Sequence, residues 1–197
     1  MEDIIILGGG ESVKYFDFKN IDKLGCYVIG VNDACLYAPV DCIVTMDRLL
    51  MENRFAEFKK QNKPTYLRYS AYKNNLGGQV FPGLRLFACD NETDHFGVEG
   101  TTLNGRNSGY CALNLAYTLQ PRNLYLLGFD MKGGYWYPEY PWAKPKTGNR
   151  SMEWVKAFEV AKHYFDSCAT NVYVVGDSLI ETFPKLTYME LIEKCGK

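Results

Sequence analysis

Ile4-Ile5-Ile6-Leu7-Gly8-Gly9-Gly10-Glu11-Ser12 decides the fold: four apolar residues run without a break into three consecutive glycines. The apolar run reads as a strand covered on both faces, and the glycines read as a tight turn leading out of it. Glycine reaches positive φ without steric cost and leaves its amide N–H uncovered. The turn therefore suits backbone wrapping of a phosphate or ribose, or a bare strand-to-helix connection.

The same pattern recurs along the chain. Short apolar runs at 27–31, 42–45, 65–69, 84–88, 124–127 and 172–175 are rich in β-branched and aromatic residues. Between them, residues 49–61, 108–119 and 151–167 carry helical spacing. In the last of these, Trp154, Phe158, Ala161 and Phe165 share one face and belong to the core. Strands apolar on both sides and alternating with helices predict an α/β fold, a doubly wound, mostly parallel Rossmann-like sheet with helices on both faces. With 197 residues, one nucleotide-binding domain spanning 1–197 is the economical organisation.

In such sheets ligands gather beyond the carboxyl ends of the strands, at the point where strand order reverses. The residues that follow the predicted strands are therefore site candidates. They are Gly8, Gly9, Gly10 and Ser12; Asn32 and Asp33; Met46, Asp47 and Arg48; Gly128, Phe129 and Asp130; and Gly176, Asp177 and Ser178. All five corners are dominated by polar residues or glycine, and together they predict one convergent pocket with Asp177 and Ser178 in its nucleotide-binding lining. Asp33, Asp47, Asp130 and Asp177 are candidates for proton transfer or for holding Mg²⁺ against a diphosphate, with turn-forming and capping roles as the plainer readings.

Two segments interrupt the alternation. Residues 72–103 are rich in Gly, Asn, Asp and Thr and predict an irregular excursion. Residues 133–149 hold Tyr135, Trp136, Tyr137, Tyr140 and Trp142 among prolines and glycines, which forbid a regular helix. An aromatic loop above strand ends suits a lid or a stacking platform for sugar or base. It also suits a subunit contact in a homo-oligomer, or simply a cover over the core. Lys144, Lys146 and Arg150 beside it are candidates for neutralising a leaving phosphate, or ordinary solvated surface.

Composition narrows the classes further. A formal net charge of −1 and a pI near 6.1, with no basic block, argue against a protein that binds mainly through nucleic-acid phosphates. No apolar run is long enough to span a bilayer, and Met-Glu-Asp lacks a positive leader, so the expected location is cytoplasmic. The seven cysteines form no CxxC pair and read as reduced, buried small hydrophobes. Metal-ligand spacing is missing, so no structural zinc is expected.

Residues 107–117, Asn-Ser-Gly-Tyr-Cys-Ala-Leu-Asn-Leu-Ala-Tyr, and 123–131, Asn-Leu-Tyr-Leu-Leu-Gly-Phe-Asp-Met, resemble the SGxxxxxxA and IYLxGxDF segment of the bacterial CMP-sialic-acid-dependent sialyltransferases. Residues 4–12 resemble the opening strand and glycine loop of that group, and Val28-Ile29-Gly30-Val31-Asn32 its second strand. The same blocks resemble the MptE-like 6-hydroxymethylpterin pyrophosphokinases and small phage proteins of the wider superfamily. The resemblance implies that Gly8, Gly9, Gly10 and Ser12 face phosphate and ribose, and that Asn32 faces phosphate or transferred sugar. It further implies that Ser108 and Gly109 face the nucleoside and that Gly128 and Asp130 border the base. Ser108 independently reads as an N-cap of its helix.

Tyr135, Tyr137 and Tyr140 fall where the sialyltransferases hold the departing phosphate. The histidine base expected ahead of the last long helix is missing: residues 144–151 read Lys-Pro-Lys-Thr-Gly-Asn-Arg-Ser. His163 lies within the helical stripe and His95 within the polar excursion, and neither is positioned for catalysis by its spacing. The catalytic candidates are therefore Asp130, Tyr135, Tyr137 and Asp47, with no metal-ligand set.

The leading expectation is a glycosyltransferase-like transferase that uses a nucleotide-sugar donor, of CMP-sugar type, and a small acceptor. The alternatives are a Mg²⁺-dependent pyrophosphokinase of MptE-like type and a nucleotide-binding protein without turnover. The chain lacks GxxxxGK[ST] and does not spell GxGxxG, which removes the P-loop kinases and weakens a dehydrogenase reading.

Overall fold

The computed structural model describes residues 3–75, 80–89, 96, 102–105, 107–138, 140–141 and 150–196. Its elements follow in the order β1 (Ile4–Leu7), β2 (Tyr27–Val31), α1 (Ala34–Tyr37), β3 (Cys42–Thr45), α2 (Arg48–Gln61), β4 (Thr65–Arg68), α3 (Tyr69–Asn75) and β5 (Leu84–Phe87). Then come α4 (Ser108–Leu119), β6 (Asn123–Leu127), α5 (Arg150–Asp166), β7 (Asn171–Val175), β8 (Lys185–Leu186) and α6 (Tyr188–Cys195). The strands form one eight-stranded sheet in the order β5-β4-β3-β2-β1-β6-β7-β8, and every pairing is parallel.

Side-chain alternation along each strand explains why the sheet is covered on both sides. From β1, Ile4 and Ile6 join Ile29, Val44 and Leu126 on one face, packed under Tyr110 and Leu113 of α4 and Phe158 and Phe165 of α5. Ile5 and Leu7 join Val28, Ile43 and Leu127 on the opposite face, under Leu50 and Phe58 of α2 and Leu191 of α6. A strand that feeds two cores must be apolar at every position, which is the pattern read in residues 4–7.

The chain lays down β1 to β5 in one direction, crosses back through α4, and continues from β6 to β8 in the other. Strand order therefore reverses between β1 and β6, which pair in register with Ile6 opposite Leu126. The turns after these two strands define the crevice of the fold.

The structure adds elements that the pattern did not disclose. The glycine turn leads into a 3-10 turn at Glu11–Val13 and a second 3-10 segment at Phe18–Leu24, where the sequence suggested a helix. The strand β8 is two residues long, too short for an alternation signal. The helix α6 carries a Thr187/Glu190 capping box, a legible start signal that the strand-helix reading passed over. Among the described residues no helix is long and apolar enough to cross a membrane.

Candidate functional site

At the switch point the two central turns are tied to each other. Gly8 N–H donates to the Leu127 carbonyl at 2.8 Å, and Gly10 N–H donates to the Gly128 carbonyl at 2.8 Å. The expectation of bare amides is thereby corrected at Gly8 and Gly10, whose N–H groups extend the β1–β6 pairing. The glycines are needed because protein atoms approach them. A Cβ on Gly8 would lie 2.6 Å from the Gly128 carbonyl oxygen, and one on Gly10 would run into the Asp130 carboxylate. Gly128 itself sits at φ 75°, a conformation that suits glycine.

Asp130 is buried, and both its oxygens hold Ser12. One accepts the Ser12 N–H at 2.6 Å and the other accepts the Ser12 hydroxyl. The Tyr188 hydroxyl donates to the Ser12 carbonyl, and Leu179 N–H donates to the Asp130 carbonyl at 3.0 Å. Ser178, also buried, donates to the Phe129 carbonyl at 2.5 Å and accepts from Ile180 N–H at 3.0 Å. The corners after β1, β6 and β7 thus form one hydrogen-bonded block. Asp177 stands outside it, exposed and paired with Lys132 at 2.5 Å, which holds its carboxyl below the usual carboxylate range.

The corners after β2 and β3 form a second block. Asn32 adopts φ 55°, which asparagine tolerates better than most residues, and its side-chain oxygen accepts from the Thr45 hydroxyl at 2.8 Å. The Thr45 oxygen accepts Asp47 N–H at 3.2 Å, and Asp47 caps α2 by accepting Leu50 N–H at 3.1 Å. Ser108 proves not to cap α4. The cap is Asn107, which accepts Tyr110 N–H at 2.9 Å, while the buried Ser108 hydroxyl accepts Met46 N–H at 3.0 Å. Gly109 keeps α4 close to Phe129, whose ring lies 2.9 Å from where a Cβ would stand.

The five predicted corners therefore follow five adjacent strands, β3, β2, β1, β6 and β7. Over the middle of them lies an aromatic strap. Trp136 donates its backbone N–H to the Gly9 carbonyl at 3.2 Å and its indole N–H to the Gly8 carbonyl at 3.0 Å. A Cβ on Gly9 would meet the Tyr137 hydroxyl at 2.7 Å and the Tyr135 ring at 2.8 Å. Trp136 stacks on Phe18 with centroids 4.4 Å apart, and Tyr137 stacks on Tyr37 at 5.4 Å with an interplanar angle of 5°. The Tyr137 and Tyr140 hydroxyls are 3.3 Å apart, and burial pushes both phenols well above their ordinary value. The aromatic loop of the sequence is thus a strap laid directly on the glycine turn. Its continuation through Trp142, Lys144 and Lys146 lies outside the described residues, as does His95, and nothing is assigned to the Arg150 side chain.

Asp33, beside Asn32, is the odd carboxylate of the site. It is 1 % exposed, and neither oxygen accepts a hydrogen bond among the described residues. The Arg54 guanidinium stands 3.6 Å away. Burial raises the Asp33 carboxyl to about 6, with Arg54 opposing and Glu57 and Asp47 adding to the rise. Sequence reasoning named Asp33 among four acidic candidates but carried Asp130 and Asp47, not Asp33, forward as catalytic candidates. Trp136 was read only as one of the loop aromatics, and Tyr37 and Tyr188 went unassigned, because only the folded chain brings them to the turn. Among the described residues no group of three His, Cys, Asp or Glu stands close enough to hold a metal ion.

Fold and site together define an α/β protein of Rossmann-like architecture with an aromatic strap laid on the glycine turn at its switch point. No protein-family model and no curated protein matches the chain. Among solved structures, the fold is similar to that of the MAf glycosyltransferase from Magnetospirillum magneticum AMB-1, with a TM-score of 0.62 and 14% sequence identity. The alignment covers 98% of this chain and 36% of that protein, so the chain spans about a third of its length.

Proposed function

We propose that this protein is a transferase that draws an activated group from a nucleotide donor, a nucleotide sugar, and passes the glycosyl group to a hydroxyl-bearing acceptor. The observation that carries the reading is the strapped glycine turn at the β1–β6 switch point, where open parallel sheets bind nucleotides. Tyr135, Tyr137 and Tyr140 gather over that turn, where the resemblance to the sialyltransferases expects groups that hold the departing phosphate. The fold shared with a protein described as a glycosyltransferase points the same way. A CMP-type donor is the form the resemblance favours.

The strap rests on Gly8 and Gly9, so the donor enters by displacing Trp136 and Tyr137. The two hydrogen bonds that Trp136 donates to these carbonyls are few enough to exchange for contacts with a ligand. Asp130, Ser12, Ser178 and Asn32 act in this reading as positioning residues, because each is bonded to the turn or corner that shapes the crevice. The pyrophosphoryl alternative asks Asp47 or Asp130 to hold Mg²⁺, yet one caps α2 and the other clamps Ser12. That commitment favours glycosyl transfer.

A thermal-shift series with CMP, UDP, GDP, ADP and ATP tests the reading. A dose-dependent rise with a pyrimidine nucleotide is expected, because a ligand that binds only the folded state stabilises it by mass action. No response to any of them at millimolar concentration refutes it.

A further inference from the structure

Four aspartates follow strands at this edge of the sheet, and three accept hydrogen bonds from the protein's own groups. Asp47 accepts Leu50 N–H, Asp130 accepts two hydrogen bonds from Ser12, and the exposed Asp177 pairs with Lys132. Asp33 is the exception. It stands at the start of α1 without capping it, is almost fully buried, and accepts no hydrogen bond among the described residues. Its nearest cation, Arg54 at 3.6 Å, also contacts Glu57 at 3.3 Å.

A buried carboxylate without hydrogen bonds is costly, and native structures seldom keep one unless a bound partner supplies the missing donor. The position of Asp33 indicates which partner. It follows β2, the strand beside β1, so it lies one strand over from the glycine turn. Its charge acts on both Tyr137 and Tyr140, and the Tyr137 hydroxyl rests on Gly9. A hydroxyl admitted beneath the strap therefore comes into the neighbourhood of a carboxylate that is ion-paired with Arg54 at 3.6 Å but accepts no hydrogen bond among the described residues.

We propose that Asp33 is the general base of the transfer and takes the proton of the acceptor hydroxyl; the proposal rests on the transferase reading above. In the step, the acceptor oxygen bonds to the transferred carbon as the bond from that carbon to the donor phosphate oxygen breaks. The phosphate leaves with the bonding electron pair, and the acceptor proton moves to an Asp33 oxygen. The groups facing Asp33 set its basicity: Arg54 and Glu57 from α2, Asp47 at the start of α2, Cys35 on α1, and Tyr137 and Tyr140 from the strap. Together with burial they hold the carboxyl near 6, so it is ionised at neutral pH yet binds a proton far more readily than an exposed aspartate.

The test compares the unaltered protein, Asp33→Asn and Arg54→Met. Nucleotide binding is read by thermal shift with CMP, UDP and GDP. Turnover is read as nucleotide released from CMP-sialic acid, UDP-glucose and GDP-mannose, with lactose or water as acceptor. Asp33→Asn should keep the nucleotide response and lose turnover by about 100-fold or more, the usual contribution of a positioned base. The unaltered protein should lose activity below about pH 6. Arg54→Met should move that acid limb to higher pH, because it removes the charge that holds the Asp33 carboxyl down, a shift that a merely structural carboxylate would not produce. Turnover within twofold of the unaltered protein in Asp33→Asn overturns the base while leaving the transferase intact. Nucleotide binding with no turnover of any donor overturns it in favour of a non-catalytic binder. No nucleotide response in the unaltered protein overturns the transferase and the base together.

Discussion

Replacing Asp33 by Asn should make the protein more stable at neutral pH, and the gain should vanish in acid. The carboxyl is 1 % exposed and titrates near 6, against an ordinary value of 3.8. At about 1.4 kcal/mol per tenfold, that displacement puts about 3 kcal/mol of cost on the ionised form in the folded state. The sign follows from linkage. A carboxyl whose folded value is raised binds protons better when folded, so folding is favoured below pH 4 and the advantage is lost as pH rises through 6. Asparagine keeps the shape and cannot ionise, and the attraction to Arg54 that it forgoes is already included in the value near 6. A domain of this size moves roughly 2–4 °C in Tm per kcal/mol, so Asp33→Asn should melt about 6–12 °C higher at pH 7 and nearly together with the unaltered protein at pH 4. Differential scanning calorimetry across that range provides the measurement. An Asp33→Asn protein that melts lower at pH 7, or by an amount independent of pH, would show that the carboxylate is a structural anchor. The stability gain and the loss of turnover are two sides of one claim, since a group kept for function at the expense of folding should release that cost when removed.

The glycine turn separates movable from immovable neighbours: a methyl on Gly9 meets the Tyr137 hydroxyl and the edge of the Tyr135 ring, whereas one on Gly128 meets the Gly8 backbone at 3.0 Å with φ at 75°. Gly9→Ala should therefore cost about 1–3 kcal/mol and shift the strap, seen as altered tryptophan fluorescence, while Gly128→Ala should cost more by thermal melting. Equal losses would contradict that distinction. Asp130→Ala should lower stability by about 1–3 kcal/mol and weaken the nucleotide response, because the Ser12 N–H and hydroxyl lose their acceptors; unchanged binding would show that the clamp does not shape the crevice. The Cys26 and Cys195 sulfurs lie 3.3 Å apart, so diamide should join them by removing the two thiol hydrogens, a linkage visible in a peptide map and lost in Cys195→Ser; a map with both thiols intact refutes the juxtaposition.

Much of the architecture was legible because two-sided burial leaves a mark on every residue of a strand. The expected starts at Ile4, Tyr27, Cys42, Thr65 and Leu84 are the observed ones, and α4 runs over the expected span. Legibility failed where an element is too short to show a period, as in β8 and α1, or where the stabilising contact is tertiary. Ser108 illustrates the second case: a serine at the head of a helix suggests a cap by local chemistry, yet its hydroxyl bonds to Met46, and the neighbouring Asn107 supplies the cap.

The order of residues by itself determined the sheet class, the five polar corners and the presence of an aromatic segment, since each depends on periodicity or on neighbours along the chain. Only the folded chain decided that the glycines make room for Asp130, Gly128 and the strap, and that three of four aspartates accept hydrogen bonds from the protein itself. It also left Asp33 buried without a hydrogen bond. Commitment of a side chain depends on what residues a hundred positions away bring to it, and hydrophobic periodicity carries no record of those partners.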